Sequence, residues 1–242
     1  MRRFALLFGC LLLAQSSFAQ RSLNEIFDAG FMLEDRNSDG VIDFVNAELV
    51  LGDDPSPFVV AAASDIATRL GFETMAMNLP FTAQQQGVGI TVGVEAASAI
   101  GIDLDGIRVG EGLITTAVVL GREWLVVTGS EDSGTRAAAT ALSGRLPHLW
   151  DPEGATLHDV IADIRATLAE EVIEPEDLRI TRVVVGNGQL QELHVSLDVP
   201  ETQWPIARRA ILDSSPSYEG VETFVMRLAG AEVRFPRQPT ER

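Results

Sequence analysis

The sequence contains no lysine, because all 18 of its basic residues are arginine. A Walker-type phosphate loop, a Schiff base and a Ser–Lys dyad each need an ammonium group, so these three chemistries are excluded. Cysteine is nearly absent as well, with Cys10 as the only thiol. If the chain is cut after Ala19, the remaining residues can form neither a disulfide nor a thiol-dependent site.

Positive charge is scarce relative to negative charge. The 242 residues include 18 arginines and 35 acidic residues, which gives a formal net charge of −17. Removing Arg2 and Arg3 with a leader would leave 16 arginines against 35 acidic residues, a net charge of −19. Such a chain is not expected to bind nucleic acid or an anionic membrane surface.

The first 19 residues have the order of a secretory signal peptide. Arg2 and Arg3 precede a short apolar run over 4–14, and the small residues Ser17 and Ala19 follow it. This order predicts export to the periplasm or the cell exterior, with cleavage after Ala19. The apolar run is too short to remain as a membrane anchor, so no transmembrane segment is expected in the mature chain.

An oxygen-rich run, DRNSDGVIDFVN, follows the N-terminal arm. It has the spacing of an EF-hand-type calcium loop, with Gly40 at the sixth position, where the chain turns sharply. The predicted calcium ligands are Asp35, Asn37, Asp39, Val41 through its carbonyl, and Asp43. The run resembles the calcium loops of dockerins and thrombospondin type 3 repeats, except that Asn46 stands where a bidentate carboxylate belongs. The alternative is an Asx-type turn that only starts the next strand.

The periodicity of the remaining chain predicts a mixed α/β (α+β) protein. Two apolar segments, 113–120 and 124–128, predict a hairpin that runs into a helix, and 156–172 predicts the clearest helix. A ββαββ sandwich is expected after it. The predicted divisions are a signal peptide (1–19), an N-terminal arm with the calcium loop (20–46), a first α/β domain (47–153), a bridging helix (154–175), a ββαββ domain (176–236) and a tail (237–242).

The first predicted domain resembles the non-catalytic second domain that precedes the barrel in family-20 glycoside hydrolases (β-hexosaminidases). The segments that carry the resemblance are AELVLGDDPSPFVVAAASDIATRLG, GITVG and LITTAVVLGREWLVVTGSEDSGTRAAATAL, within roughly residues 47–150. In that family the catalytic Asp–Glu pair lies on the barrel, which this chain lacks. The resemblance therefore implies an accessory role and supplies no catalytic residue.

Three functions remain open from the sequence. The first is a non-catalytic accessory region of a larger secreted, carbohydrate-active hydrolase, whose partners would be a downstream catalytic domain or carbohydrate. The second is a free-standing exported binding protein with a calcium-stiffened loop, and the third is a stand-alone hydrolase. His148, His158 and His194 have no metal-ligand spacing, so we expect them to be solvated or locally hydrogen-bonded.

Overall fold

The computed structural model describes residues 20–74, 87–214, 221–228 and 231–236. The predicted signal peptide and tail lie outside these residues. No helix in the described part of the chain has the length and apolar character needed to cross a membrane. The helices are α1 (Pro57–Thr74), α2 (Val94–Ala99), α3 (Asp132–Gly144), α4 (Leu157–Glu170) and α5 (Trp204–Ser214). The strands are β1 (Leu33–Glu34), β2 (Phe44–Val45), β3 (Ala47–Val50), β4 (Val88–Val92), β5 (Gly112–Val119), β6 (Arg122–Gly129), β7 (Asp177–Gly186), β8 (Gln189–Asp198), β9 (Val221–Leu228) and β10 (Ala231–Pro236).

Eight of the strands form one mixed sheet, in the order β10-β9-β8-β7-β5-β6-β4-β3. Strands β3, β4 and β6 run parallel, as do β8 and β9, and the other neighbours in this sheet are antiparallel. The parallel pairs β3–β4 and β8–β9 have α1 and α5 between them in the chain, as parallel connections require. The predicted mixed α/β class is confirmed.

The two predicted domains contribute strands to the same sheet. The ββαββ order is present, but β7 pairs with β5, so that Leu113 lies opposite Val184. Leu125 of β6 and Leu193 of β8 also belong to one hydrophobic core. The ββαββ segment therefore extends the first sheet instead of forming a sandwich of its own. Alternation along a strand predicts which side chains are buried, but it does not identify the neighbouring strand.

The two faces of the sheet are covered differently. Helices α1, α3, α4 and α5 supply buried side chains to the main core, among them Ile66, Leu142, Leu168 and Ala207. Helix α2 packs on the opposite face, where Ala97 meets Trp124 and Val126 of β6. Leu125 lies between those two residues and faces the main core, because side chains alternate along a strand. We call the face opposite α1, α3, α4 and α5 the open face.

Helix α3 lies very close to the sheet because a glycine faces it. A Cβ atom on Gly134 would lie 2.1 Å from the carbonyl oxygen of Glu111, and one on Gly129 would lie 2.6 Å from the carbonyl carbon of Gly134. Only residues without a side chain allow this approach. The glycines that flank the strand-to-helix turn at 129–134 thus have a packing role.

Candidate functional site

The predicted calcium loop joins β1 to β2, whose two residue pairs close its base. The Asp35 carboxylate accepts hydrogen bonds from the backbone N–H groups of Ser38, Asp39 and Gly40 at 2.7, 3.3 and 2.8 Å. Gly40 has φ of 87°, which favours glycine at the predicted turn position. The loop therefore has the sharp turn that its sequence predicts.

The other predicted side-chain ligands also bond to the loop backbone. Asn37 accepts from the N–H of Asp39 at 3.0 Å, and Asp39 accepts from the N–H of Val41 at 2.9 Å. Asp43 accepts from a backbone N–H at 3.0 Å in the same way. Across the described residues, no three His, Cys, Asp or Glu side chains are grouped so that they could hold a metal ion. The loop has the bonds of Asx turns, and calcium binding stays a prediction.

The three histidines lie in separate environments and each has a local partner. His148 Nδ1 lies 3.3 Å from the carbonyl oxygen of Gly154. His158 lies 3.3 Å from the Asn24 amide through Nδ1. His194 differs from the other two because its side chain is only 14% exposed. It lies on the open face and lines a polar pocket there.

A β-bulge in β7 changes the phase of that strand relative to β8. Ile180 lies opposite Val195 and Arg182 lies opposite His194, so Thr181 is an extra residue on β7. A bulge of this kind reorients the side chains that follow it and often occurs beside functional sites. It is the local feature on which the geometry of the pocket depends.

The bulge turns two arginines to the same face. On a regular strand, residues three apart point to opposite faces. Because of the extra residue, Arg179 and Arg182 both line the open-face pocket, and Ile180 and Val183 are both buried in the main core. A single additional residue therefore brings a second guanidinium into the pocket.

Two rows of side chains cross β7, β8, β9 and β10 on the open face. The first row consists of Arg182, His194, Val225 and Arg234, and the second of Arg179, Ser196, Arg227 and Glu232. Neighbouring strands are about 4.8 Å apart, so each row spans about 14 Å. Both rows line one open cavity of about 410 Å³, which lies within the usual size range of small-molecule sites.

The cavity, which we call the arginine pocket, is polar on almost every side. Val195 and Val225 are its only apolar lining residues in the part of the chain that the structure describes. Gln20, at the start of the described chain, forms part of the wall, and its carbonyl oxygen accepts a hydrogen bond from Arg179 at 2.7 Å. Asp105 approaches from the loop that precedes β5. The pocket thus combines residues that are distant in the sequence.

Arg182 is the residue of the pocket whose charge is least compensated. Within the described residues it makes no hydrogen bond or ion pair, and its Nε is buried without a partner. Desolvation lowers the pKa of its guanidinium, although the carboxylates of Glu192, Asp103 and Glu232 act in the opposite direction. The group still remains protonated at any physiological pH. A partly buried cation without a close counter-ion is unfavourable compared with one whose partner is supplied by another molecule.

His194 and Glu192 form a hydrogen-bonded pair beside Arg182. The distance from His194 Nε2 to Glu192 Oε2 is 2.9 Å. Desolvation lowers the pKa of His194, and the charge of Arg182 lowers it further. Burial opposes ionisation of Glu192, but the bond from His194 and the charge of Arg234 outweigh it and lower the pKa of Glu192. We therefore assign an ionised Glu192 that accepts the Nε2 proton of a neutral His194.

This arrangement does not form a nucleophile–base pair. Glu192, His194 and Ser196 alternate along one face of β8. Among the described contacts, however, no hydrogen bond joins His194 to Ser196. The chemistry available is charge and hydrogen-bond donation from arginine and serine, which is suited to holding a ligand.

The sequence predicted part of this site. The alternation along 193–199 correctly predicted that His194 faces away from the core, and the prediction of a locally bonded histidine is confirmed by its contact with Glu192. The sequence did not predict the arginine pocket. The pocket depends on the bulge at Thr181 and on the pairing of β7, β8 and β9, and neither feature has a signature within a single strand. The one available signal was the density of arginines in 179–182.

The chain was compared with known proteins. Neither a scan against protein-family models nor a search of curated proteins finds a match. The resemblance of residues 47–150 to the second domain of family-20 glycoside hydrolases therefore stays a prediction.

Proposed function

We propose that this chain is an exported binding protein that holds a small ligand in the arginine pocket. The observation that carries the proposal is the partly buried side chain of Arg182, which lines an open cavity. Its Nε is buried without a partner, and its guanidinium makes no hydrogen bond or ion pair with the described residues. A residue that served only to stabilise the fold would be expected to have its charge paired within the protein.

The position of the pocket supports a binding role. It lies on the open face, and strands, not mobile loops, hold its central side chains. Side chains on paired strands keep a fixed spacing, so the pocket is formed before a ligand arrives. Such preorganisation reduces the entropy that is lost on binding.

The proposal is tested by native mass spectrometry of the protein purified from its host. We expect a non-covalent adduct of one small molecule, which is lost in an Arg182→Gln variant and kept in an Arg208→Gln variant. Arg208 lies exposed on α5, which packs on the face of the sheet opposite the pocket. The Arg208→Gln variant therefore makes the same change of charge away from the pocket. An adduct that persists in Arg182→Gln would place the ligand elsewhere and contradict the proposal.

Export is the second part of the proposal, and the leader sequence supports it. The protein recovered from the periplasm or the medium should have the mass of a chain that begins at Gln20. An Ala19→Arg variant should keep its leader, because the cleavage site requires a small residue there. Wild-type protein found only in the cytoplasm with Met1 in place would contradict export.

The binding unit could also serve within a larger secreted hydrolase, as the resemblance of residues 47–150 implies. In that case the arginine pocket would act as an accessory site beside a catalytic domain. The reading frame after Arg242 separates the two arrangements. A barrel encoded there supports the accessory role, and a stop codon supports the free-standing protein.

We further propose that calcium binds the loop between β1 and β2. The observation that favours it is the cradle of Asp35, whose carboxylate is oriented by three backbone N–H groups beside the turn at Gly40. Oxygen ligands converging from a tight loop suit a hard cation. Calorimetry with calcium tests this proposal.

A further inference from the structure

The arginine pocket concentrates positive charge in a chain that is strongly negative. Among the residues that the structure describes, four arginines line it, although the chain carries 35 acidic residues and only 18 arginines. Its acidic lining residues are Asp105, Glu192 and Glu232. Resting on the proposed function, we infer that the ligand is a small oxyanion, a carboxylate or a phosphate, bound by the guanidinium of Arg182 and the hydroxyl of Ser196.

The two glutamates of the pocket are already engaged by other groups. Arg234 lies 2.5 Å from Glu192 and 3.2 Å from Glu232, so one guanidinium bonds to both carboxylates. Glu192 also accepts from His194. Neither glutamate has a described hydrogen bond or ion pair with Arg182, and a cationic ligand would have to compete with Arg234 for both carboxylates.

The other arginines of the pocket differ in whether a carboxylate of the protein already neutralises their charge. Arg179 is paired with Asp177 at 2.5 Å. Among the described residues, the nearest carboxylate oxygen to Arg227 belongs to Glu232 and lies 4.0 Å away, at the limit of an ion pair. Arg182 has neither kind of partner. Positive charge without a close counter-ion is therefore centred on Arg182, with Arg227 two strands away on β9.

Ser196 adds a neutral donor at the centre of the second row. It lies between Arg179 and Arg227 in the register of β7, β8 and β9, and its hydroxyl bonds to no described residue. A guanidinium presents parallel N–H groups that match two oxygens of a carboxylate or phosphate. A hydroxyl nearby can then donate to another oxygen of the same anion.

The form of the pocket limits the ligand to a small molecule. A cavity of about 410 Å³ bordered by side chains of four strands accommodates a metabolite-sized anion. A neutral polyol would leave the Arg182 charge uncompensated, and an anion removes that penalty. The charge balance of the pocket therefore favours an oxyanion over a sugar or a polyamine.

Isothermal titration calorimetry of the exported chain, as its host releases it, tests the inference. The oxyanion probes are inorganic phosphate, sulfate and succinate. Phosphate and sulfate represent a phosphate-like ligand, and succinate represents a carboxylate ligand. Succinamide is the neutral counterpart of succinate, and putrescine is a cation of similar length. We expect at least one oxyanion to bind, with binding weakened by salt, and neither succinamide nor putrescine to bind.

Two variants locate the binding in the pocket. Arg182→Gln should weaken oxyanion binding about ten- to hundred-fold, as expected for the loss of hydrogen bonds to a charged group, and Arg208→Gln should leave it unchanged. If Arg182→Gln does not fold, Ser196→Asp decides the matter. It introduces a carboxylate between Arg179 and Arg227, so the chain should stay folded and lose affinity for the oxyanion.

The outcomes separate this inference from the proposed function. If succinamide or putrescine binds, and Ser196→Asp or Arg182→Gln alters that binding, the result would support the proposed binding function and contradict the inference that the ligand is an oxyanion. Oxyanion binding that neither variant weakens would overturn the assignment to Arg182 and Ser196. If none of the probes binds and no adduct accompanies the native protein, both the inference and the proposed function are wrong.

Discussion

Arg182 on β7 lies directly opposite His194 on β8, and the bulge at Thr181 brings the two side chains to the same face. A protonated His194 would stand beside the guanidinium charge, and this repulsion adds to desolvation in lowering the pKa of His194. The pair thus holds one permanent cation next to a histidine that is kept neutral. Two consequences of this relationship can be measured.

The first consequence is a pH dependence of stability. The pKa of His194 in the folded chain lies below its usual 6.5, because of desolvation and Arg182, although the neighbouring carboxylates of Glu192 and Glu232 oppose the shift. The unfolded chain therefore binds more protons just below pH 6.5. The contribution of His194 to stability is complete above that pH and is lost as the pH falls through the folded pKa.

A His194→Gln variant should flatten this part of the profile. Urea denaturation of the wild type should show stability that rises with pH on the acidic side of about pH 6.5, and the variant should show a smaller slope there. His148→Gln is the control, because His148 lies outside the pocket and should keep the wild-type slope. An unchanged slope in His194→Gln would show that His194 is not the group that titrates.

The second consequence concerns the stability of the ligand-free protein. Arg182→Met keeps much of the side-chain volume and removes a partly buried charge that has no described partner. We expect the free energy of unfolding without ligand to stay equal or to rise by about 1 kcal/mol, while oxyanion binding is lost. The measurement is urea denaturation, with the more exposed Arg227→Met as the comparison. A loss of several kcal/mol would identify Arg182 as a structural residue.

Local pattern predicted the elements of this fold but not their assembly. The hairpin of β5 and β6, the alternation along β8 and the start of α4 followed from periodicity and capping; Thr156 and Asp159 do form the predicted capping box. These features depend on residues close in the sequence. The pairing of β5 with β7 joins residues about 70 positions apart, and no short segment encodes it.

The arginine pocket was beyond prediction for the same reason. Its rows require the register of four strands and the bulge at Thr181, which shifts Arg182 onto the face of Arg179. Strict alternation would have put these two arginines on opposite faces. The calcium loop, by contrast, is a continuous segment, so its turn at Gly40 followed from the sequence alone.

The packing of α3 gives a prediction with an internal control. Gly134→Ala should lower the free energy of unfolding by about 1–3 kcal/mol, because the new Cβ would meet the backbone of Glu111 at 2.1 Å. Gly144→Ala, at the end of the same helix, has open space around the new Cβ and should be neutral or stabilising by up to about 1 kcal/mol. Chemical denaturation measures both. Equal effects of the two changes would contradict the close approach of α3 to the sheet.

Calcium binding by the loop is expected to be weak. Asn46 occupies the twelfth position, but its side-chain amide donates to Glu34 at 2.5 Å, so no bidentate carboxylate closes the loop. We expect a Kd on the order of 10⁻⁴–10⁻³ M and a stabilisation of about 1 kcal/mol at a few times the Kd. Magnesium should have a smaller effect, because it requires a tighter octahedral shell.

Three variants test the calcium site by calorimetry and by melting with and without calcium. Asp39→Ala should abolish the calcium effect, whereas Asp54→Ala, which changes an exposed acid outside the loop, should preserve it. Asn46→Glu would put a second carboxylate beside Glu34, so it should destabilise the metal-free protein and increase the gain from calcium. If none of the four proteins binds calcium at concentrations several times that Kd range, the carboxylates of Asp35 and Asp39 serve only to shape the turn that leads into β2.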